Sequence, residues 1–285
     1  MIPFLRDRTG TILVPEPAEP LKYSTYWCNN WQDCTSYILK QKQNPMKSTS
    51  KLLLAFSGIL AFLLAGSLIS FAPWQDEKRE ERDLPVFKGF SVSIPADVYY
   101  TQDKTQRVIL EGDPDDLARI VTQVEGSTLK IFTRGFSLRW NGKVKVTLSS
   151  AECQFMELSG SGKIVSEKPL NTNVLDLRLS GSGSFLIQQL NAKSLIGRIS
   201  GSGKMTVNGG SELSEIDFSI SGSGDVNAEN FLAKQGSVKI SGSGNCSVNV
   251  TERLEGRISG SGNLYYRGKP MLDVVISGSG KARPI

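Results

Sequence analysis

Around each of seven Ser-Gly-Ser-Gly motifs, apolar side chains recur at every second position. Just before the motif stand Leu158, Leu179, Ile199, Ile220, Ile240, Ile258 and Ile276, and two positions earlier Met156, Leu177, Gly197, Phe218, Val238, Gly256 and Val274. Five residues after its first Ser come Ile164, Phe185, Met205, Val226, Cys246, Leu264 and Ala282. A period of two places alternate side chains on one face of a strand, so each repeat reads as strand, Gly-Ser corner, strand. The motifs begin at Ser159, Ser180, Ser200, Ser221, Ser241, Ser259 and Ser277, at spacings of 18 to 21 residues. Separate hairpins would turn about every 8–12 residues. A unit of this length cannot bury its inward face alone, but stacked on copies of itself at roughly 4.8 Å it builds a continuous core. The expected fold is all-β, a parallel β-solenoid (β-helix) of about seven coils.

The motif glycines suit tight corners whose backbone angles side chains forbid. They are Gly160, Gly162, Gly181, Gly183, Gly201, Gly203, Gly222, Gly224, Gly242, Gly244, Gly260, Gly262, Gly278 and Gly280. The motif serines, aligned in columns, are expected to form hydroxyl ladders along the axis.

From Leu84 to Ser150 the pattern is still mainly strand, in Phe87 to Ile94, Val98 to Tyr100, Val108 to Leu110, Leu129 to Phe132 and Val144 to Leu148. One short helix is predicted after Asp113-Pro114, with Leu117, Ile120, Val121 and Val124 at helical spacing. This β-rich leading segment, 86–150, is expected to cover an end or side of the solenoid formed by 151–285, since unpaired sheet edges invite aggregation. Arg134 to Lys143 reads as an exposed loop.

Ahead of residue 74 the pattern changes. Residues 1–45 mix Pro, Tyr, Trp, Cys and Asn without period; Met46 then opens a short basic start followed by apolar residues 52–72 and the charged run Asp76 to Asp83. This describes an export signal over 46–73, with 1–45 an upstream extension, disordered, from a misplaced start and 74–85 a charged linker. The rival reading keeps 1–45 and makes 52–72 a single transmembrane anchor. Either way the C-terminal part is exported.

The charge pattern narrows the partners. The whole chain carries +5, but from Trp74 onward 26 lysines and arginines face 24 acids, a balance that does not call for nucleic acid. The four cysteines predict no disulfide framework: Cys153 and Cys246 fall in the first and fifth coils, and Cys246 occupies a column of core residues. No metal site or cofactor is expected. The Gly-Ser-Gly runs lead into strands rather than a helix, so they do not read as phosphate loops. The chain contains 0 His, which removes the commonest general base. Carboxylates remain for a glycan-acting hydrolase or lyase, with Glu212, Glu215 and Asp217 in one coil and Glu252 with Glu255 in another; solvated charge is the simpler account.

Phe87 to Val98, Val108 to Gly112, the Leu/Ile-Ser-Gly-Ser-Gly copies and Tyr265-Tyr266-Arg267-Gly268-Lys269-Pro270 together resemble the auto-transporter adhesin head domain, or GIN domain. The resemblance covers roughly Leu84 to the end. It implies a bacterial protein exported to the periplasm, outer surface or beyond, with β-solenoid architecture, and an adhesive role. The expected function is therefore non-enzymatic binding of an envelope glycan or protein along the rigid face. The alternative is a structural or sensory module for one protein partner. Tyr99, Tyr100, Trp140 and Tyr265 are the candidate ligand contacts, since aromatic rings stack on sugars and anchor interfaces. Tyr266 reads as filling the end of the core. Arg178, Lys239 and Arg257 stand beside the corners, and open ends allow end-to-end dimers.

Overall fold

A computed structural model describes residues 78–135 and 140–285. The expected extension, signal or anchor before residue 74 lies outside the described residues. The leading segment runs β1 (Lys78–Glu81), β2 (Gly89–Val92), β3 (Ala96–Gln102), β4 (Arg107–Gly112), α1 (Pro114–Arg119), β5 (Ile120–Glu125), β6 (Thr128–Thr133) and β7 (Val144–Ser150). The repeats follow as β8 (Phe155–Gly160), β9 (Lys163–Ser166), β10 (Leu170–Asn171), β11 (Val174–Gly181), β12 (Ser184–Asn191), β13 (Ser194–Gly201) and β14 (Lys204–Gly209). Then come β15 (Leu213–Gly222), β16 (Asp225–Gly242), β17 (Asn245–Gly260), β18 (Asn263–Arg267), β19 (Met271–Gly278) and β20 (Lys281–Pro284).

Strands before each corner stack parallel in one ladder: β8, β11, β13, β15, the second halves of β16 and β17, and β19. Strands after each corner build a second: β9, β12, β14, the first halves of β16 and β17, β18 and β20. Equivalent motif residues pair in register, Ser180 with Ser159 and Ser200, for example. The coils make a parallel β-solenoid of about six turns. The expected seven counts corners, and seven corners bound six intervals.

The leading segment continues the same stack rather than lying against it. β2 sits between β8 and β6 in the first ladder, and β3 between β9 and β7 in the second. Antiparallel strands then close this end: β5 on β6, β4 on β7 and β1 on β4. Part of the expected charged linker is thus the outermost cap strand. Arg82 behind it donates to the carbonyls of Ile120 (2.8 Å) and Leu117 (3.3 Å), tying the linker to the helix end.

The helix is shorter than its periodicity predicts. Asp113 caps it by accepting from the Asp115 and Asp116 amides, but it ends at Arg119. Ile120, Val121 and Val124 belong instead to β5, antiparallel to β6. A β-branched run beside an unpaired strand edge gains more from ladder bonds than from another helical turn.

Inward columns are sealed. Leu158, Leu179, Ile199, Ile220, Ile240 and Ile258 are at most 2% exposed. Large and small alternate within a column: a Cβ on Gly197 would lie 2.6 Å from the Phe218 ring, so the missing side chain of one rung is the space the next one fills.

Candidate binding surface

With the inside filled, chemistry is left to the outward columns. On the first ladder the residue two before each motif forms the column Glu157, Arg178, Arg198, Ser219, Lys239, Arg257 and Val275. It runs between the exposed first serines of the motifs and a second outward column containing Asp176, Asp217, Glu255 and Asp273. Rungs at about 4.8 Å hold these groups at a regular pitch.

Charges at the two ends of the basic column differ. Asp176 accepts from Arg178 at 2.7 Å and from Arg198 at 3.2 Å. Hydrogen bonding to that carboxylate raises the Arg178 guanidinium above its usual range, and its Cζ lies 4.9 Å from the centroid of the Phe155 ring. A shallow groove of about 300 Å³ opens here, lined by Glu157, Arg178, Arg198, Ser180, Ser200 and Ser221. Farther along, Lys239 and Arg257 stand on adjacent rungs beside Ser241 and Ser259. Among the described residues neither makes an ion pair.

The expected hydroxyl ladder is replaced by two other devices. Corner rungs are joined through backbone, Ser182 N to Gly160 O at 3.1 Å and Ser223 N to Gly201 O at 2.9 Å among them. Side-chain ladders are built by asparagine: Asn191 to Asn171 (2.9 Å), Asn230 to Asn208 (2.9 Å) and Asn263 to Asn245 (3.0 Å). An amide carries both donor and acceptor in a fixed plane and so repeats along an axis.

The candidate aromatics separate. Tyr99 and Tyr265 share one outward column of the second ladder, through Val165, Leu186, Thr206, Asn227 and Ser247. Six rungs put them roughly 29 Å apart, so they make no common pocket. Lys163 and Lys145 lie over the Tyr99 ring, at 5.4 and 5.9 Å from its centroid. Hydrogen bonds to Tyr99 and then to Asp97 hold the Lys163 ammonium above its ordinary range.

Tyr100 is no ligand contact. It points inward at 1% exposure, 5.5 Å from Phe90, and its hydroxyl reaches the Ser150 hydroxyl at 3.1 Å. Its period gave the signal: Val98 is inward, so Tyr100 is inward and Tyr99 outward. Trp140 is half-buried against the core under the Arg119 guanidinium, 5.8 Å away. Tyr266 also packs on the core, as expected. Of the carboxylates, Glu212, Glu215, Glu252 and Glu255 are exposed and Asp217 is half-buried on the outward side of β15. Among the described residues no cluster could hold a metal ion, and no helix is long and apolar enough to cross a membrane.

Sequence reasoning placed Arg178, Lys239 and Arg257 beside the corners but named neither Arg198 nor the continuous column among the candidate contacts. The signal was there, since Arg178, Arg198, Lys239 and Arg257 all fall two residues before a motif.

The fold is shared with solved proteins. A protein solved as a putative adhesin from Bacteroides fragilis superposes with TM-score 0.68 at 22% identity, over 75% of this chain and 99% of its own. A protein solved as a putative lipid binding protein from Parabacteroides distasonis gives TM-score 0.61 at 25% identity, over 73% and 96%. A putative adhesin from the same organism gives 0.60 at 25%, over 74% and 98%. No curated protein matches the chain. The family model matches residues 86–270, which hold six of the seven motifs, and the chain belongs to the family described as putative auto-transporter adhesin, head GIN domain.

Proposed function

We propose that the chain is an exported adhesive module of the bacterial envelope, without enzymatic activity, that holds an extended acidic glycan along the basic column of its first ladder. The observation that carries this reading is the Lys239 and Arg257 pair, adjacent in register, beside motif serines and outside any ion pair among the described residues. Ammonium and guanidinium groups at a fixed rung spacing suit a polymer with regularly placed carboxylates or sulfates, and hydroxyls nearby can bond its sugar oxygens. A rigid sheet gives up little entropy on binding such a chain. Each contact is exposed and weak, so affinity rests on repetition and falls with salt.

The test is calorimetry of residues 74–285 with a polyuronate, a sulfated glycan and a neutral glycan. Binding of an acidic polymer, weakened at least tenfold by Lys239→Ala with Arg257→Ala and by raised salt, supports the reading. Equal binding of the neutral glycan, or no effect of the double variant, overturns it.

A protein partner is favoured by a different observation. Tyr99 and Leu186 are half-buried on the outward side of the second ladder with the buried Val165 between them, an aromatic and aliphatic footing on which a partner side chain could rest. Retention of one envelope protein, lost on Tyr99→Ala, would mark that role. The lipid named for one relative would have to be met on such an outer surface, because core side chains fill the coil.

A further inference from the structure

The two ends of the solenoid are finished differently. At the leading end both ladders are closed by antiparallel strands. At the other, β19 and β20 each pair on one side only. β20 carries protective devices: it is short, has Lys281 and Arg283, and contains Pro284. β19 is eight residues long, has no Pro and bears a single charge, Asp273.

Its composition also breaks the columns. Met271 stands where the preceding coil has Arg253, and Val275 where it has Arg257. These outward positions turn apolar at the last coil, whereas a terminal coil that meets water should be the more polar one. Met271, Leu272, Val275 and Ile276 are 70, 44, 55 and 41% exposed, although the inward equivalents Leu254 and Ile258 are 0% exposed.

From this we infer that β19 is a homodimer edge: two copies join end to end, β19 antiparallel to β19, about a two-fold axis at Val274. With Val274 opposite itself, Leu272 faces Ile276 inward, Met271 faces Ser277 and Asp273 faces Val275 outward. The register keeps the core columns continuous across the join and never sets Asp273 against its own copy. The capped leading end cannot take this place, so the contact closes as a pair instead of growing into a filament. An eight-residue strand spans about 26 Å and two facing sheets lie about 10 Å apart, so the two end faces together lose roughly 500 Å² to the join, the size of a weak, transient contact.

Residues 74–285 suffice for the test, because the relatives that share this fold are solved as chains of which it makes 96–99%. Sedimentation velocity across about 1–100 μM should show a monomer–dimer equilibrium. Val275→Arg and Met271→Arg, which restore the residue types of the preceding coil, should weaken the dimer more than tenfold, while Val174→Arg, on the second coil, should leave it intact. Val274→Cys should form an intermolecular disulfide on mild oxidation, since Cys153 and Cys246 are buried and cannot compete. A monomer throughout, or a dimer indifferent to both Arg variants, overturns the inference. So does a full-length chain in mild detergent that stays monomeric where 74–285 dimerises, since the preceding residues of the same chain would then cover the edge.

Discussion

The two glycines of each motif are required for different reasons. The first adopts positive φ, 128° at Gly160 and 120° at Gly222, a region side chains avoid. The second is packed shut: a Cβ on Gly244 would lie 2.2 Å from Gly224 O. Stacking adds a further restriction to the first. A Cβ on Gly222 would meet Gly201 O at 2.4 Å, whereas Gly160, on the lowest corner, has nothing within 4 Å. Gly160→Ala should therefore cost about 1–3 kcal/mol, the strain of its backbone conformation. Gly222→Ala should exceed that by at least about 1 kcal/mol, because a carbonyl held in a ladder cannot move aside; urea unfolding of the two variants gives the difference. Buried thiols offer a second check. Desolvation pushes the Cys153 thiol up to about 12 and that of Cys246 higher still. Neither should react with a thiol reagent at pH 8 in the folded protein, and both should react once urea unfolds it.

Among the elements, the cap strands depend most on charge. Glu111 on β4 is paired with Lys145 of β7 at 2.8 Å and with Arg79 of β1 at 3.6 Å, so one carboxylate bridges three neighbouring strands. The hydrogen bond from Lys145 lowers its pKa below the ordinary 4.5, and bonds from Lys78 and then Arg82 do the same for Glu80. A carboxylate with a depressed folded pKa contributes stability that is complete above the unfolded value and fades as pH falls through the folded one. Below about pH 4.5 the cap should loosen before the coils do, visible as faster hydrogen exchange over 78–112 than over 194–260. Lys145→Met should remove the Glu111 share of that acid dependence and leave the Glu80 share; an unchanged profile would assign the effect elsewhere. Asp116 secures the helix in another way. It is fully buried, bonds the Asn141 amide at 2.8 Å and that of Gly142 at 3.2 Å, and pairs with Arg119. Asp116→Ala removes the buried acceptor that these part-buried donors share and should lower stability by about 1–3 kcal/mol in thermal or urea unfolding.

Across the whole molecule, identical positions differ in value according to their distance from the open end. Ile240 and Ile276 precede their motifs by one residue, yet Ile240 is 2% exposed and Ile276 41%. Ile240→Ala should cost about 2–5 kcal/mol and Ile276→Ala under about 1 in the monomer, measured by chemical unfolding at low concentration. Equal losses would mean that something already covers the last coil. The relation between local sequence and global order is also visible at this scale. β2 and β3 precede the cap strands β4 and β5 in the chain but lie between them and the repeats in space.

The repeats were legible because one residue type answered one local demand seven times over: Gly where φ is positive, an apolar side chain at every second place, and a spacing that admits only stacking. Those demands are local or repeated, so the alternation and the corners specify the all-β solenoid, its inward columns and the outward place of Tyr99. The tertiary structure decided what depends on a neighbour far along the chain. Ile120 to Val124 read as helix until β6 offers an edge to pair with. Tyr100 becomes a core residue on meeting Phe90 and Ser150. The cations of Arg178 and Arg198 are engaged by Asp176 while those of Lys239 and Arg257 stay outside any described ion pair, a difference set by which side chains the stack places beside them.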